Sequence, residues 1–253
     1  MLIQCLRSIV RFPCETGYRA HILHSDLTPE DMAKIREAVP EAVIAEAKVD
    51  ESFFQDFPET KRYPQQIYYR IFAAQFLPND LERVLYLDTD TIVIRSLETL
   101  YHMEFQGASY IACTHVRALL GRMNCLRLGV QEDVPYINTG VMLMNLEQLR
   151  KQQTIQEVLE FVQDKKNRLL LPDQDIITAL YGEQIHLTDS YVYNLSDRIL
   201  AMYNTRHPGT VRDLAWVRQN TCIIHYCGKN KPWNPNYLGK LDVFYRELQQ
   251  TGE

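Results

Sequence analysis

The chain has 253 residues, of which 46% are apolar and 23% charged, so it can form one large domain and is too apolar for intrinsic disorder. Its 27 Lys and Arg residues are outnumbered by 32 Asp and Glu residues, and the net charge of −5 argues against a general nucleic-acid binder. No apolar run approaches the roughly 18 residues of a membrane helix, and six scattered cysteines without zinc-site spacing indicate a reduced, cytoplasmic protein.

Hydrophobic spacing and turn residues predict helices and strands that alternate along the chain. Apolar residues at positions 2, 3, 6, 9 and 10 have helical spacing, so the chain begins inside a helix. Thr28 and Pro29 are typical of a helix start, and Pro40 ends that helix. The predicted elements that follow are strand 19–24, helix 29–39, strand 42–49, loop 50–64, helix 67–76, strands 83–87, 110–113 and 140–144, a helix within 146–162, a helix starting at 176–180, strand 221–226 and helix 238–249.

This alternation predicts an α/β fold with a mostly parallel sheet and flanking helices. Strand 83–87 is a near-continuous apolar run, which is typical of strands that are buried on both faces in parallel sheets. No linker divides the sequence, so we expect residues 1–253 to form a single domain.

The clearest candidate site is Asp88-Thr89-Asp90, which directly follows strand 83–87. Ligands of open α/β sheets bind at the carboxyl ends of the strands. If the chain stays extended, carboxylates two residues apart point the same way, and such hard oxygen ligands suit Mg²⁺ or Mn²⁺. The alternative is a solvated acidic turn, since the bare D-x-D tripeptide is common.

A second candidate segment runs from Ile223 to Trp233. His225 ends an apolar strand, and a turn with Gly228 and Lys231 follows it. Imidazole is a suitable third ligand for Mn²⁺, and a lysine in a tight loop can hold phosphate as a point charge. Taken alone, His225 is more often a hydrogen-bonded structural residue.

Two further segments carry polar side chains next to predicted elements. Asp173 and Gln174 precede a helix, where Asp173 either caps that helix or joins Gln174 in binding sugar hydroxyls. Asn138 leads into strand 140–144, as a turn residue or as a hydrogen-bond donor to a sugar. The aromatic residues Tyr191, Tyr193, Tyr203 and Trp216 form either a sugar platform or part of the core.

These segments, taken in order, resemble the family-8 retaining glycosyltransferases of the GT-A fold. The matching motifs are V-L-Y-L-D-T-D at 84–90, I-N-T-G-V-M-L-M-N-L at 137–146, D-Q-D-I at 173–176 and H-Y-C-G-K-N-K-P-W at 225–233. Each motif is weak or moderate alone, but the ordered set is specific and the resemblance runs from residue 1 to about 240.

The resemblance implies a role for each motif residue. Asp88, Asp90 and His225 would bind Mn²⁺, with Mg²⁺ as the alternative ion. Gly228 and Lys231 would hold the diphosphate, and Arg70 would reach the donor sugar, although alone it is better explained as an exposed helix arginine. Leu87 and Thr89 would contact the donor beside the two carboxylates. The residues expected around the transferred sugar are Asn138, Asp173 and Gln174.

The implied reaction moves glucose or galactose from a UDP-sugar to a saccharide acceptor, such as a lipopolysaccharide or another cell-surface glycan, with retention of configuration. Gln174 is the candidate nucleophile for a double displacement, but an amide is a poor nucleophile, so same-face attack by the acceptor is the competing mechanism. Two other hypotheses stay open: a metal-dependent phosphohydrolase that uses the same acidic edge, and a non-catalytic nucleotide-sugar-binding remnant.

Three departures from the family pattern affect these expectations. Thr114-His115 stands where an acidic residue is common in the family. This difference weakens any inference of donor-sugar specificity from the family to this sequence. The C-terminal residues 245–253 lack a basic cluster, so we expect at most weak peripheral membrane association. Family members begin with a strand and an acidic loop ahead of the helix that corresponds to residues 1–12, so we expect a domain that lacks this first strand.

Overall fold

The computed structural model describes residues 1–59 and 64–250, which fold as an α/β protein. The α-helices are α1 Leu2–Val10, α2 Pro29–Ala38, α3 Ala73–Phe76, α4 Glu98–Tyr101, α5 Ala118–Leu128, α6 Leu146–Gln152, α7 Ile155–Lys165, α8 Pro172–Tyr181, α9 Ser190–Tyr193, α10 Asp197–Arg206, α11 Leu214–Asn220 and α12 Asp242–Gln250. The strands are β1 Tyr18–His24, β2 Ala42–Lys48, β3 Arg83–Leu87, β4 Thr91–Val93, β5 Tyr110–Cys113, β6 Asn138–Asn145, β7 Ile185–Leu187 and β8 Ile223–His225. Short 3₁₀ turns lie at Glu51–Phe54, Gln65–Tyr68 and Gly182–Gln184. None of the described helices has both the length and the apolar character needed to traverse a bilayer.

The described strands form one four-stranded sheet and two smaller ones. The central sheet has the order β3-β6-β5-β7, while β1 pairs with β2 and β4 pairs with β8. Pairs β1–β2 and β5–β7 are parallel, whereas β3–β6, β5–β6 and β4–β8 are antiparallel.

The α/β class is confirmed, but the expectation of a mostly parallel sheet needs correction. Strand β6 runs opposite to β3 and β5 and lies between them, so the central sheet is mixed. The apolar run of β3 led to the parallel prediction. In the structure every residue of β3 keeps some exposure, because its one partner among the described strands is β6.

Local signals placed the start of α2 correctly but misjudged two later helix starts. Thr28 caps α2 in a capping box, in which its side chain accepts from the Asp31 backbone and the Asp31 side chain accepts from the Thr28 backbone. The helix predicted within 146–162 is two helices, because Thr154 starts a second one by accepting a hydrogen bond from the Glu157 amide. Helix α8 starts at Pro172, four residues before the predicted start.

The predicted helix 67–76 is wrong in its centre, where turns separate a 3₁₀ segment from the four-residue α3. Tyr68, Tyr69, Ile71 and Phe72 are all buried and only Gln75 of residues 67–76 is exposed, so this segment lacks the polar face of an amphipathic helix. The rings of this segment pack around Phe54, which lies in the predicted loop 50–64. Residues 60–63 of that loop lie outside the described part of the chain.

A core of buried side chains packs against the central sheet and supports the carboxyl end of β3. One cluster of buried side chains fills the space between the central sheet and α3, α6, α7 and α8, and includes Phe72, Tyr110, Met142 and Ile176. Helix α1 packs on β4, where the Ser8 hydroxyl accepts from the Val93 amide at 2.9 Å. The start of the chain therefore braces the segment that follows Asp88 and Asp90.

We predict that Gly182→Ala destabilises the fold by about 1–3 kcal/mol because the added methyl group overpacks the core. The backbone at Gly182 is ordinary right-handed helix, so alanine is allowed there, but its Cβ would lie 2.1 Å from Cγ1 of Val134. Urea unfolding of the double variant with Val134→Ala should show a positive coupling that recovers part of the loss. Gly121→Ala is the matched control, since its Cβ meets only ordinary contact at 3.9 Å. Equal effects of Gly182→Ala with and without Val134 would contradict this explanation.

Candidate active site

Asp88, Thr89 and Asp90 form a tight turn between β3 and β4. The Thr91 amide donates to the Asp88 carbonyl at 3.1 Å, and the Thr91 hydroxyl donates to the same carbonyl at 2.8 Å. Strand β6 holds the start of this turn through the Asp88 amide and the Gly140 carbonyl, which are 2.8 Å apart. The two carboxylates therefore converge through a turn, and not through the extended chain that the i, i+2 argument assumed.

His225 brings an imidazole to these two carboxylates from β8. Its Nε2 atom lies 3.1 Å from Oδ1 of Asp90 and 3.8 Å from Oδ2 of Asp88. One ligand atom from each of the three residues lies within 4.8 Å of the others, and His225 is buried. Pairing of β4 with β8 places Thr91 opposite His225, which fixes this convergence.

Lys231 faces the same carboxylate pair from the loop after β8. Its ammonium group contacts Oδ2 of Asp90 and donates to the Tyr226 carbonyl at 2.8 Å. The positive charge of Lys231 therefore offsets the negative charge of Asp90.

Arg70 joins two acidic motifs that are far apart in sequence. Its guanidinium group lies 3.0 Å from Oδ1 of Asp88 and 3.2 Å from Oδ2 of Asp173, and it stacks 5.1 Å from the ring centre of Tyr86. The Tyr86 hydroxyl donates to Oδ1 of Asp88 at 2.9 Å. The sequence alone favoured an exposed helix arginine here, whereas the structure buries most of the Arg70 side chain among these partners.

The Asp173-Gln174-Asp175 motif opens α8 beneath Arg70. Asp173 does not cap the helix: its side chain accepts from the Thr139 hydroxyl at 2.6 Å and pairs with Arg70. Burial raises the pKa of Asp173, and Arg70 opposes that rise. Asp175 is structural, since Arg127, Tyr136 and two backbone amides bind its buried carboxylate.

The remaining predicted site residues make no ion pair or side-chain hydrogen bond with the acidic turn, His225, Lys231 or Arg70 in the described part of the chain. Gln174 is partly exposed, and among the described residues its side chain has no hydrogen-bond partner. Thr89 is exposed at the tip of the acidic turn, and Leu87 is partly exposed at the end of β3. Gly228 is exposed with φ +83°, a left-handed conformation that favours glycine.

Asn138 is a buried internal partner at the start of β6. Its side-chain oxygen accepts from the Gly140 amide at 3.2 Å and from the Asn194 side chain at 3.0 Å. Gly140 itself lies against the site: a Cβ there would be 2.1 Å from Cε1 of His225 and 2.8 Å from Oδ2 of Asp88. Only a residue without a side chain leaves room for that imidazole.

Sequence reasoning missed two neighbours of His225, the buried Asn194 and the partly exposed His115. Asn194 accepts from Nδ1 of His225 at 2.9 Å, and His115 donates through Nε2 to the Asn194 carbonyl at 2.7 Å. Burial, followed by the nearby His225, lowers the pKa of His115 to about 4. In the sequence, Thr114-His115 is only a departure from an acidic pattern, and no motif next to Asn194 indicates a role for it.

The aromatic residues of the 188–216 region enclose an arginine. The Arg212 guanidinium lies 4.1 Å from the ring centre of Tyr191, 4.0 Å from that of Tyr203 and 4.2 Å from that of Trp216. Cation–π contacts therefore hold these three rings. They are packed against Arg212, and are not an open platform for a sugar.

The residues of the acidic turn fit a hard divalent cation. Oδ1 of Asp90 is buried and receives no hydrogen bond, so it is an acceptor without a donor in the described structure. Two carboxylates and an imidazole form a ligand set that suits Mn²⁺ or Mg²⁺. Fold and site together define an α/β enzyme domain with a candidate divalent-metal centre at the carboxyl end of β3.

Comparison with known proteins identifies the family. The family model described as Glycosyl transferase family 8 matches residues 1–236, and the chain belongs to this family of glycosyltransferases. General stress protein A of Bacillus subtilis is 25% identical over 235 residues, covering 88% of this chain and 78% of that protein. Lipopolysaccharide 1,2-glucosyltransferase of Escherichia coli is 24% identical over 233 residues, covering 90% and 68%. Glycosyltransferase GlyF of Streptococcus pneumoniae is 27% identical, and the chain spans 54% of its length.

Solved structures show the same fold. The galactosyltransferase LgtC, in complex with donor and acceptor sugar analogues, superposes with a TM-score of 0.81 at 24% identity, covering 99% of this chain and 91% of LgtC. Glycosyltransferase GlyE of Streptococcus pneumoniae gives a TM-score of 0.70 at 19% identity, and the chain spans 56% of it. The predicted GT-A fold is confirmed. Family membership also decides between the glycosyltransferase and phosphohydrolase hypotheses in favour of the glycosyltransferase.

We predict that His115 makes the fold more stable as the pH rises from about 4 to about 6.5. The pKa of His115 falls from 6.5 to about 4 on folding, so over this range the unfolded chain binds more protons than the folded protein. The gain is at most about 3 kcal/mol, because the side chain is partly exposed.

His115→Gln keeps an N–H donor for the Asn194 carbonyl and removes the titration. Urea unfolding across this pH range should therefore give a shallower pH dependence for His115→Gln than for the wild type. His102→Gln is the control, since His102 is an exposed histidine. Identical slopes for the wild type and His115→Gln would refute the assignment.

Proposed function

We propose that this protein transfers glucose or galactose from a UDP-sugar to a saccharide acceptor, with retention of configuration and with Mn²⁺ as the divalent ion. The observation that carries this proposal is the convergence of Asp88, Asp90 and His225 within 4.8 Å at the carboxyl end of β3. Similarity to a lipopolysaccharide glucosyltransferase supports a lipopolysaccharide or related cell-surface glycan as the acceptor. All six cysteines are free thiols, which supports work in the reducing cytoplasm.

Asp88, Asp90 and His225 would hold the metal ion, which when bound would neutralise the charge that develops on the UDP diphosphate. Lys231 would hold that diphosphate as a point charge, and the position of its ammonium group beside Asp90 supports this role. Gly228 gives the loop between His225 and Lys231 its left-handed turn. Leu87 and Thr89, at the edge of the same turn, would line the donor.

Arg70 and α8 would form the sugar end of the site. Arg70 is held by Asp88 and Asp173, so its guanidinium group is fixed beside the acidic turn, where it would reach the donor sugar. Asp173 is buried and paired, which leaves it poorly available as a nucleophile. The partly exposed amide of Gln174 is a weak nucleophile. We therefore favour same-face attack by the acceptor, with Gln174 contacting the transferred sugar and Asn138 supporting the site from within.

We predict that Asp90→Ala lowers metal-dependent turnover of the UDP-sugar by about 10²-fold or more, because it removes one of two anionic metal ligands. The measurement is release of UDP from UDP-glucose and UDP-galactose in the presence of Mn²⁺, with and without an acceptor. A chelator should have the same effect on the wild type.

Asp56→Ala serves as the control, because Asp56 is an exposed carboxylate outside the site. Turnover that survives chelation would contradict the metal-dependent reaction. Binding of UDP without turnover would support a non-catalytic remnant, and release of inorganic phosphate from simple esters would support a phosphohydrolase.

We predict opposite effects of Lys231→Met on two ligands. Without its ammonium group, UDP should bind about tenfold more weakly in saturating Mn²⁺, since a charge-assisted contact to phosphate is lost. Mn²⁺ alone should bind more tightly, because Lys231 no longer competes for Oδ2 of Asp90. Isothermal titration of each ligand separates the two effects, and Lys229→Met, in the same loop, is the control. A parallel loss of both affinities would contradict the proposed place of Lys231.

A further inference from the structure

We infer that Asn194 is a positioning residue that fixes the tautomer of His225 and keeps its Nε2 lone pair directed at Asp88 and Asp90. This inference rests on the proposed metal role of His225. It concerns a residue outside every motif that the sequence offered. A series of hydrogen bonds links the backbone of β6 to the imidazole of His225 through Asn138 and Asn194.

The series of hydrogen bonds starts at a backbone amide, a group that can only donate. The Gly140 amide can only donate, and it lies 3.2 Å from a side-chain atom of Asn138. That atom must therefore be the Asn138 oxygen. The Asn194 side-chain atom that lies 3.0 Å from this oxygen must then be its NH₂ nitrogen, because two facing oxygens would repel.

The orientation of Asn194 determines where His225 carries its proton. With its nitrogen facing Asn138, Asn194 turns its oxygen toward Nδ1 of His225 at 2.9 Å. An oxygen can only accept, so Nδ1 carries the hydrogen. Neutral imidazole has one N–H, and Nε2 is left with its lone pair.

That lone pair is aimed at two carboxylates. Nε2 lies 3.1 Å from Oδ1 of Asp90, an atom that receives no hydrogen bond, and 3.8 Å from Oδ2 of Asp88. Three electron-pair donors then face one small space, an arrangement that a divalent cation stabilises. With the proton on Nε2 instead, the imidazole would donate to Asp90 and block ligation.

Asn194 is itself held rigidly in place. It is fully buried, its carbonyl accepts from His115 at 2.7 Å, and the neighbouring Leu195 bonds to both Ile223 and His225 in β8. These contacts fix the backbone of Asn194 beside His225, and its side-chain amide is held by the hydrogen bonds to Asn138 and His225. Groups that hydrogen-bond to the free nitrogen of a metal-bound histidine contribute about 10–100-fold to metal affinity.

The first experiment measures Mn²⁺ binding to the full chain by titration calorimetry. Asn194→Ala should weaken Mn²⁺ binding by about 10–100-fold, because the proton of His225 can then move to Nε2 and bond to Asp90. Asn204→Ala is the matched control, since Asn204 also makes two hydrogen bonds through its amide, both to Arg212 and away from the site. It should leave Mn²⁺ affinity unchanged.

The second experiment reads the tautomer directly. ¹⁵N spectra of histidine-labelled, metal-free protein are recorded at a pH where the His225 ring gives the signals of neutral imidazole. The wild type and Asn204→Ala should carry the proton on Nδ1, and Asn194→Ala should shift it to Nε2. A merely structural role for Asn194 would not move this signal.

Asn194→Asp keeps the proposal testable if Asn194→Ala does not fold. Aspartate retains an acceptor for the Nδ1–H of His225, so the Nδ1–H tautomer should persist and Mn²⁺ affinity should stay closer to the wild type than that of Asn194→Ala. A wild-type proton on Nε2, or Mn²⁺ affinity within about twofold of the wild type in a folded Asn194→Ala protein, would overturn the inference. Absence of Mn²⁺ binding by the wild type would instead refute the proposed function.

Discussion

The structure of the site depends on keeping three carboxylates close together at one edge of the central sheet. Asp88, Asp90 and Asp173 would repel one another if left alone, and burial makes each charge more costly. Arg70 bridges Asp88 and Asp173, while Lys231 contacts Asp90. The guanidinium group is permanently charged and has fixed geometry, so it is a lasting part of the framework. The ammonium group sits on a flexible stem and can move when a ligand arrives.

The sequence predicted the parts of this site that depend on local order. Asp88 and Asp90 follow an apolar strand and His225 ends one, and the local run of apolar residues was enough to predict these strands. The partnership of Arg70 with Asp173 was not predictable, because it joins residues more than a hundred positions apart. Asn194 was missed for the same reason: its role arises from contacts with Asn138 and His225, and its own neighbours carry no motif.

The sequence predicted the α/β class correctly, but it misjudged the strand directions and the segment 67–76 for a related reason. Apolar runs show that a strand is buried but not which way it runs, so the reversal of β6 was invisible. The segment 67–76 reads as a helix because it is apolar. It instead buries residues on every side, which leaves no pattern that distinguishes a helix from successive turns. The cap at Thr28 made the start of α2 predictable, whereas the cap at Thr154 that begins a second helix was missed.

Gly140 shows how closely the backbone of β6 approaches the candidate metal centre. Because a methyl group there would overlap the ring of His225, the presence of an imidazole at 225 imposes the absence of a side chain at 140. The two positions form a single steric unit that links the central sheet to the β4–β8 pair. A descendant of this chain that lost both His225 and Asp88 would be released from the close contacts on both sides, and larger residues at 140 could then accumulate. Substitution at this glycine is thus a structural mark by which degenerate copies could be told from working ones.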